Sequence, residues 1–325
     1  MKIFITGICG AVGSNLAKYL LNLYECKIWG IDDLSSGMIN NIQGLDVEFI
    51  QADICNDDIL RSLFENQFDY IFHLAAHFAN QNSIDNTVRD LQVNSEGTLK
   101  LLEHAKKQKK LKRFVYTSTS CIYSSSTELL SEDNELHFET PYAISKYFGE
   151  EYIKFYSDYY NIPCSIVRLF NSFGPGEFPG KYRNVIPNFI NHALNNEIIT
   201  IFGDGGDTRC FSYVDDIIIG ITKSSMVENS NCSLFNLGND KEVKIIDLAN
   251  LIIELTKSES NIFFGKKRAW DKTTHRRPDI LKAKKILDFQ SKTNLKDGLI
   301  KTINWFENNL EIINQMEKSS NEITK

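Results

Sequence analysis

A glycine-rich turn near the start of the chain constrains its fold more strongly than any other feature of the sequence. Residues 2–6 form a short apolar run, and three glycines follow it at intervals of three residues, Gly7, Gly10 and Gly13. Apolar residues then recur at helical spacing. Glycine suits a turn that takes positive φ and approaches a pyrophosphate closely, and the N-terminus of the next helix offers free N–H groups to an anion. This strand, turn and helix predict a dinucleotide-binding unit.

Strand-like and helical segments alternate through the first half of the chain. The segments with strand character lie at residues 2–6, 27–31, 47–50, 70–74, 113–117 and 168–170. Such alternation is typical of an α/β fold with a doubly wound parallel sheet, in which ligands bind at the carboxyl ends of the strands. We therefore predict a dinucleotide-binding Rossmann domain over residues 1–170, with a returning segment near residues 208–230. A smaller mixed α/β substrate domain is expected over residues 171–325, with a disordered polar tail after Ile313.

Composition argues against several other classes of protein. The chain has 325 residues, of which 42% are hydrophobic and 24% charged, and its net charge of -6 is unsuited to a nucleic-acid surface. No apolar stretch approaches the roughly 18 residues that a membrane span needs. The seven cysteines are scattered and contain no CxxC pair. They favour neither a disulfide framework nor a metal site, and they indicate a reducing, cytoplasmic compartment.

An acidic pair, Asp32 and Asp33, ends the second predicted strand about 20 residues after the glycines. A carboxylate there accepts the hydroxyls of an adenosine ribose and repels a 2′-phosphate, which favours NAD over NADP. The alternative is that Asp32 only caps the turn into residues 34–37. The further residues expected around the cofactor are Cys9, Ala11, Val12, Ser36, Asp53, Ile54, Leu74, Ala75, Ala76, Asn94 and Thr117.

Tyr142 and Lys146 are four residues apart in a segment that is predicted to be helical from Pro141. Residues at this spacing share a helix face. An ammonium beside a phenol favours the phenolate, so Lys146 would lower the pKa of Tyr142 from about 10 toward neutrality, as a general base requires. The alternative is a chance pairing on an amphipathic helix.

The glycine turn, the hydroxyl-rich residues 118–120 and the Tyr142 and Lys146 pair occur in this order, and together they resemble the extended short-chain dehydrogenase/reductase family. The closest resemblance is to its nucleotide-sugar epimerase and dehydratase branch. It implies that Thr119 binds a sugar hydroxyl and that Tyr142 and Lys146 also contact the cofactor. The residues that the resemblance places at a nucleotide-diphosphate sugar are Thr119, Asn171, Asn184, Val185, Arg209 and one of Arg276 or Arg277.

The arginines suit a diphosphate because a guanidinium presents a planar fork of donors. For Arg209 the alternative is a surface salt bridge to Asp207 or Asp215.

The resemblance also bears on the reaction, which would begin when Tyr142 takes the proton of the C4 hydroxyl while NAD receives the hydride. Dehydratases and decarboxylases of the branch carry carboxylates just after the position of Thr119, where this sequence has Ser120 and Cys121, so 4,6-dehydration and decarboxylation are disfavoured. Cys121 resembles the acid/base cysteine of 3,5-epimerases. The alternative is that it only lines the pocket, because an acid/base thiol needs a partner and the sequence offers no clear one. We favour a nucleotide-sugar 4-epimerase. A C4 dehydrogenase that releases the keto sugar would use the same residues.

A non-enzymatic NAD-sensing scaffold is the alternative of another class, and the intact Thr119, Tyr142 and Lys146 argue against it. A homodimer is expected, since the helix near residues 88–107 and the helix that carries Tyr142 resemble the pair at the family's dimer interface. Their apolar faces could instead pack on the chain's own sheet.

Overall fold

The computed structural model describes residues 1–228 and 232–323. The strands are β1 (Lys2–Thr6), β2 (Lys27–Asp32), β3 (Val47–Gln51), β4 (Tyr70–His73), β5 (Arg113–Thr119), β6 (Leu129–Leu130), β7 (Cys164–Leu169), β8 (Ser172–Phe173), β9 (Ile199–Phe202), β10 (Thr208–Cys210), β11 (Ser212–Tyr213), β12 (Ser233–Leu237), β13 (Glu242–Lys244), β14 (Ile262–Gly265) and β15 (Arg277–Pro278). The helices are α1 (Ala11–Leu23), α2 (Asp57–Leu63), α3 (Asn80–Asp85), α4 (Thr87–Leu91), α5 (Thr98–Ala105), α6 (Pro141–Tyr160), α7 (Val185–Leu194), α8 (Val214–Ser224), α9 (Ile245–Thr256), α10 (Leu281–Leu287) and α11 (Leu295–Ile323). A π-helical segment, Gln92–Gly97, joins α4 to α5.

In the described part of the chain, seven parallel strands form the central sheet in the order β12, β7, β5, β4, β1, β2, β3. The strand order reverses between β1 and β4, which is where a doubly wound sheet opens a crevice at its carboxyl edge. Among the same described residues, four two-stranded sheets pair β10 with β13, β11 with β8, β14 with β9 and β15 with β6. The predicted fold class, a doubly wound Rossmann-like α/β sheet, is confirmed.

Each face of the central sheet packs against a hydrophobic core. The strands are therefore continuous apolar runs and do not alternate between apolar and polar residues. Along β1, Ile3 and Ile5 belong to one core, whereas Phe4 belongs to the other. The first core includes residues of α1 and α8, and the second includes residues of α5 and α6. Within the residues described, no helix is long and apolar enough to cross a membrane.

The structure corrects several predicted boundaries. The sixth strand begins at Cys164, four residues earlier than position 168, and β12 was not predicted at all. The last two residues of the returning segment expected near 208–230 lie outside the described residues, and the domain division at residue 170 stays a prediction. The segment after Ile313, which was expected to be disordered, is instead the end of α11, which runs to Ile323, and Ile313 itself is fully buried. Residues 324–325 lie outside the described part.

A buried ion pair ties α6 to the sheet. Arg168 of β7 donates from Nη2 to Glu150 Oε2 at 2.7 Å and from Nε to Glu150 Oε1 at 2.9 Å. Arg168 Nη1 also donates to the Tyr123 hydroxyl at 2.6 Å. The two charged side chains are 2% and 0% exposed, so the pair replaces the hydration of both ions and fixes the position of the helix that carries Tyr142 and Lys146.

Candidate active site

A cavity of about 830 Å³ lies along the carboxyl ends of the central strands. Its walls include the glycine turn, the chain after β2 and β4, the end of β5, the first turns of α6 and segments from the second half of the chain. Its volume falls in the range of small-molecule and cofactor sites. Of the site residues predicted from the sequence, all line this cavity except Cys9, Asn94 and Arg277.

The three exceptions have other positions. Cys9 is fully buried, and its backbone N–H donates to Asp32 Oδ2 at 3.0 Å. Asn94 supports the loop after β4, because its Oδ1 accepts the His77 N–H at 2.8 Å. Arg277 pairs with Leu129 in the small β15 and β6 sheet. Of Arg276 and Arg277, Arg276 is therefore the one that lines the cavity.

The glycine turn forms a cradle that only glycine fits. Gly7 has a φ of +70°, and a Cβ there would lie 2.8 Å from the Ala75 nitrogen. A Cβ on Gly13 would lie 2.2 Å from the Gly7 carbonyl oxygen. Gly10 precedes α1 and provides no side-chain cap, which leaves the first N–H groups of the helix for an anion. These features fit the diphosphate of a dinucleotide.

The acidic end of the cavity includes Asp32, for which the sequence allowed either a cofactor-binding role or a turn-capping role. Its Oδ1 accepts the Leu34 N–H at 2.9 Å, so it does cap the turn, and the side chain also lines the cavity. Burial raises the pKa of Asp32. Beside it, Arg89 Nη2 lies 2.7 Å from Asp53 Oδ2 and 3.3 Å from Asp33 Oδ2. No sequence signal pointed to Arg89, because only the fold brings α4 to the end of β2.

Tyr142 and Lys146 lie in the first turns of α6, which begins with strong local signals. Thr140 is the N-cap residue and accepts the Ala143 N–H at 3.4 Å, and Pro141 occupies the first helical position. The side chains of Tyr142 and Lys146 line the cavity although they are only 5% and 2% exposed. The Tyr142 ring packs edge-on against Phe78 at a centroid distance of 5.9 Å.

The electrostatics of this pair differ from the sequence-based expectation. Burial raises the pKa of Tyr142 above its usual value, the charges of Cys121 and Asp90 add to the rise, and a hydrogen bond with Thr119 opposes it. Burial likewise lowers the pKa of Lys146 to about 7, against the opposing charges of Glu150 and Asp90. The expected lowering of the phenol pKa by Lys146 was therefore wrong for the chain alone, because loss of hydration disfavours both ions.

We expect bound NAD⁺ to lower the pKa of Tyr142, because a positive charge beside a buried phenol favours the phenolate. The measurement is the tyrosinate absorbance of the wild-type protein minus that of Tyr142→Phe, titrated with and without NAD⁺. Without cofactor, no Tyr142 signal is expected below a pH of about 10. With NAD⁺ the midpoint should fall by about one unit or more. Identical midpoints would show that the bound cofactor does not tune this phenol.

Cys121 has the partners that the sequence did not reveal. Its Sγ lies 3.5 Å from Arg276 Nη1 and 3.6 Å from Asn80 Nδ2, and both donors point at the sulfur. These residues are 155 and 41 positions away in the chain, so local spacing carried no signal for them. These contacts hold the thiol at the cavity wall. They fit both readings of Cys121, as an acid/base group and as a residue that lines the pocket.

Other cavity residues come from the second half of the chain. Arg209 forms an ion pair with Asp271 Oδ1 at 3.2 Å. The salt bridge to Asp207 or Asp215 that the sequence left as an alternative is not the one that forms.

Glu177 is a cavity residue that the sequence did not predict. Its Oε1 accepts a hydrogen bond from Asn184 Nδ2 at 3.1 Å, and burial raises the pKa of Glu177 to about 7.

A cation and an aromatic ring meet at another part of the cavity wall. The Arg268 guanidinium lies 4.3 Å from the centre of the Phe202 ring, and both residues line the cavity. Such a surface suits the flat face of a nucleotide base.

Comparison with known proteins places these features in a family context. The model of the NAD dependent epimerase/dehydratase family matches residues 3–238. The chain is 32% identical over 318 residues to the UDP-N-acetyl-alpha-D-glucosaminuronate decarboxylase of Bacillus cytotoxicus, covering 94% of this chain and 97% of that protein. The structure is similar to an epimerase from Methanothermobacter thermautotrophicus, with a TM-score of 0.93, 39% identity and coverage of 97% and 94% of the two chains. It is also similar to the UDP-glucuronic acid 4-epimerase of Bacillus cereus in complex with UDP-glucuronic acid and NAD, with a TM-score of 0.88, 29% identity and coverage of 95% and 99%.

Proposed function

The chain belongs to the NAD-dependent epimerase/dehydratase family, and on this premise we propose that it interconverts C4 epimers of a nucleotide-diphosphate sugar through a 4-keto sugar. The family expected from the sequence and its cofactor, NAD, are confirmed at this level. The observation that carries the proposal is the meeting of Tyr142, Lys146 and Thr119 in the cavity that the glycine cradle borders.

In the proposed reaction, Thr119 binds the C4 hydroxyl and Tyr142 removes its proton. Bound NAD supplies a hydride acceptor and donor. Lys146 holds positive charge near the phenol, and the nearby carboxylates of Glu150 and Asp90 support that charge. Once the keto sugar has turned its other face to the cofactor, which would supply the hydride for C4, Tyr142 returns its proton to the C4 oxygen.

The residues after Thr119 support simple C4 chemistry. Ser120 and Cys121 line the cavity where, by the family resemblance, dehydratases and decarboxylases hold carboxylates. Neither side chain is a carboxylate that could take a C5 proton in the manner of those enzymes. This favours the 4-epimerase over 4,6-dehydration.

We assign the two halves of the substrate to separate parts of the cavity. Arg209 and Arg276 are proposed to bind the diphosphate, and Phe202 with Arg268 the nucleotide base. Residues 171–325 then supply the substrate-binding part of the cavity, while residues 1–170 hold NAD.

The test is turnover of the purified protein with NAD and a panel of UDP-, GDP-, dTDP- and CDP-sugars, followed by product NMR and NADH absorbance. The proposal predicts an equilibrium mixture of C4 epimers from at least one sugar, with no net NADH. Stoichiometric NADH together with a ketone would instead identify a C4 dehydrogenase. Bound NAD without turnover on any sugar would support the NAD-sensing scaffold.

We also propose that the chain forms a homodimer through α4 and α6. Large apolar side chains on these helices remain exposed, including Val88 at 71%, Leu91 at 51%, Phe155 at 52% and Tyr159 at 69%. Two copies that pair these faces would remove this surface from water.

For the dimer, we expect Phe155→Asp to convert the protein to a monomer in size-exclusion chromatography with light scattering, since a carboxylate would be buried at the interface. The matched control is Phe263→Asp, which changes a similarly exposed phenylalanine on β14 and should leave the mass unchanged. A wild-type protein that is monomeric at micromolar concentration contradicts the assignment.

A further inference from the structure

Asp90 of α4 is a buried carboxylate that lies outside the cavity, behind the helix that carries Lys146. The residue is only 1% exposed and does not line the cavity. We propose that Asp90 is the counter-charge of Lys146, a positioning residue that keeps the ammonium protonated during the reaction without contact with the sugar or the cofactor. The inference deepens the proposed function and rests on it, because it identifies what stabilises the positive charge beside Tyr142.

One oxygen of the Asp90 carboxylate is held by a hydrogen bond and the other is not. Oδ1 accepts from Asn94 Nδ2 at 2.9 Å, and the same nitrogen donates to Ser145 Oγ at 3.0 Å. Asn94 therefore ties Asp90 to α6 at the residue before Lys146. Oδ2 is buried and has no hydrogen-bond partner among the described residues. A nearby positive charge is what stabilises an ionised oxygen in such a place.

The ammonium of Lys146 is also removed from water without a direct partner. Its Nζ lies 4.2 Å from the centre of the Tyr116 ring and forms no hydrogen bond or ion pair within the residues that the structure describes. Burial lowers the pKa of Lys146 to about 7. A charge close to it therefore decides whether Lys146 is protonated at neutral pH.

The titratable groups that face Lys146 come from its own helix, from the sheet and from α4. They are Tyr142 and Glu150 of α6, Tyr116 of β5, His73 of β4 and Asp90 of α4. Burial raises the pKa of both tyrosines, and burial together with the charge of Lys146 lowers the pKa of His73. These three groups are uncharged at neutral pH, so the two carboxylates remain as sources of negative charge.

The two carboxylates differ in what they offer to Lys146. Both oxygens of Glu150 accept from Arg168, at 2.9 and 2.7 Å, so the charge of Glu150 is already paired. Arg168 repels the ammonium and offsets the attraction of Glu150. Asp90 forms no ion pair in the described part of the chain, and its Oδ2 takes no hydrogen bond there. Its charge therefore remains available to Lys146.

The effect of the two groups on each other is reciprocal. Burial raises the pKa of Asp90 to about 6, and the charge of Lys146 opposes that rise. The charge of Asp90 in turn opposes the fall in the pKa of Lys146. Asp90 is thus ionised in the pH range where Lys146 begins to lose its proton. Removal of the carboxylate charge should move that loss to lower pH.

The experiment measures the pKa of Lys146 by NMR on the full chain, labelled with ¹³C at the Cε of lysine and titrated with and without saturating NAD⁺. Without nucleotide we expect one signal to titrate near 7, and its absence from Lys146→Met identifies it. Asp90→Asn keeps the shape of the side chain and an oxygen for Asn94. Its Lys146 midpoint should be lower than that of the wild type by about one pH unit or more.

Two control variants should leave the Lys146 midpoint unchanged. Ser95→Ala removes a buried hydrogen bond to the Ser145 carbonyl, 3.0 Å long, and so weakens the same contact with α6 without changing a charge. Asp58→Asn makes the same charge change as Asp90→Asn at an 86% exposed carboxylate.

The kinetic readout is the pH profile of kcat on the sugar identified in the substrate panel. In Asp90→Asn the loss of kcat at high pH should begin at a lower pH, by the same interval as the Lys146 midpoint. The KM for the sugar should change by less than about twofold, because Asp90 does not line the cavity that holds the sugar.

A second variant tests the same pair in the opposite direction. Lys146→Met should raise the pKa of Asp90 above about 6, measured on the ¹³Cγ signal of labelled aspartate, and this result does not depend on the folding of Asp90→Asn. An unchanged Lys146 midpoint in Asp90→Asn, or an unchanged Asp90 midpoint in Lys146→Met, would overturn the inference. Shifted midpoints in a protein that turns over no sugar would support the counter-charge and count against the proposed function, which separates the two failures.

Discussion

Replacement of Tyr142 by phenylalanine is expected to lower kcat by about 10³-fold, within the range of about 10²- to 10⁴-fold that general acid–base catalysis contributes. The substitution removes only the hydroxyl that takes the C4 proton. The ring that packs against Phe78 at 5.9 Å remains, so the affinity for NAD should change by less than about twofold. Turnover is measured on the sugar identified in the substrate panel, and NAD affinity by calorimetry.

Tyr147→Phe is the matched control for this prediction. Tyr147 also lies on α6, packs against Phe138 at 5.0 Å and does not line the cavity. Its variant should retain the wild-type kcat. If Tyr142→Phe keeps more than about one-tenth of the wild-type rate, another group must take the proton.

Arg168→Met is expected to lower the free energy of unfolding by about 3–5 kcal/mol, because it leaves the carboxylate of Glu150 buried without its counter-charge. Both groups are almost fully buried, so water cannot compensate for the lost partner. Urea denaturation followed by circular dichroism measures the effect.

Two further variants make the stability prediction specific. Adding Glu150→Gln to Arg168→Met removes both charges and should recover most of the lost stability. Lys154→Met breaks an ion pair with Glu151 on the surface of the same helix and should cost no more than about 1 kcal/mol. If the double variant is as unstable as the single one, packing and not charge accounts for the loss.

The sequence predicted the parts of the molecule that depend on local patterns. The first three strands, the glycine cradle and the start of α6 at Pro141 follow from apolar periodicity, from glycine spacing and from capping residues, which act within a few positions of each other. The order of these features in the chain was enough to predict the sheet and the family.

What the sequence did not predict depends on contacts between distant segments. The pairing of Arg89 with Asp53, the position of Arg276 beside Cys121 and the ion pair of Glu150 with Arg168 arise only when the sheet has formed. The direction of the pKa shift of Tyr142 was missed for the same reason. Spacing shows that Lys146 is near, but it does not show that both groups are removed from water.

The central claim, that hydrogen leaves C4 and returns to the same carbon, is tested most directly with a nucleotide sugar deuterated at C4. The substrate is incubated with the enzyme and NAD in ordinary water until the epimers equilibrate, and the products are examined by NMR. The account predicts that both epimers keep the deuterium at C4, because the enzyme stores it as hydride and returns it without exchange. Epimers that carry solvent hydrogen at C4 would contradict it.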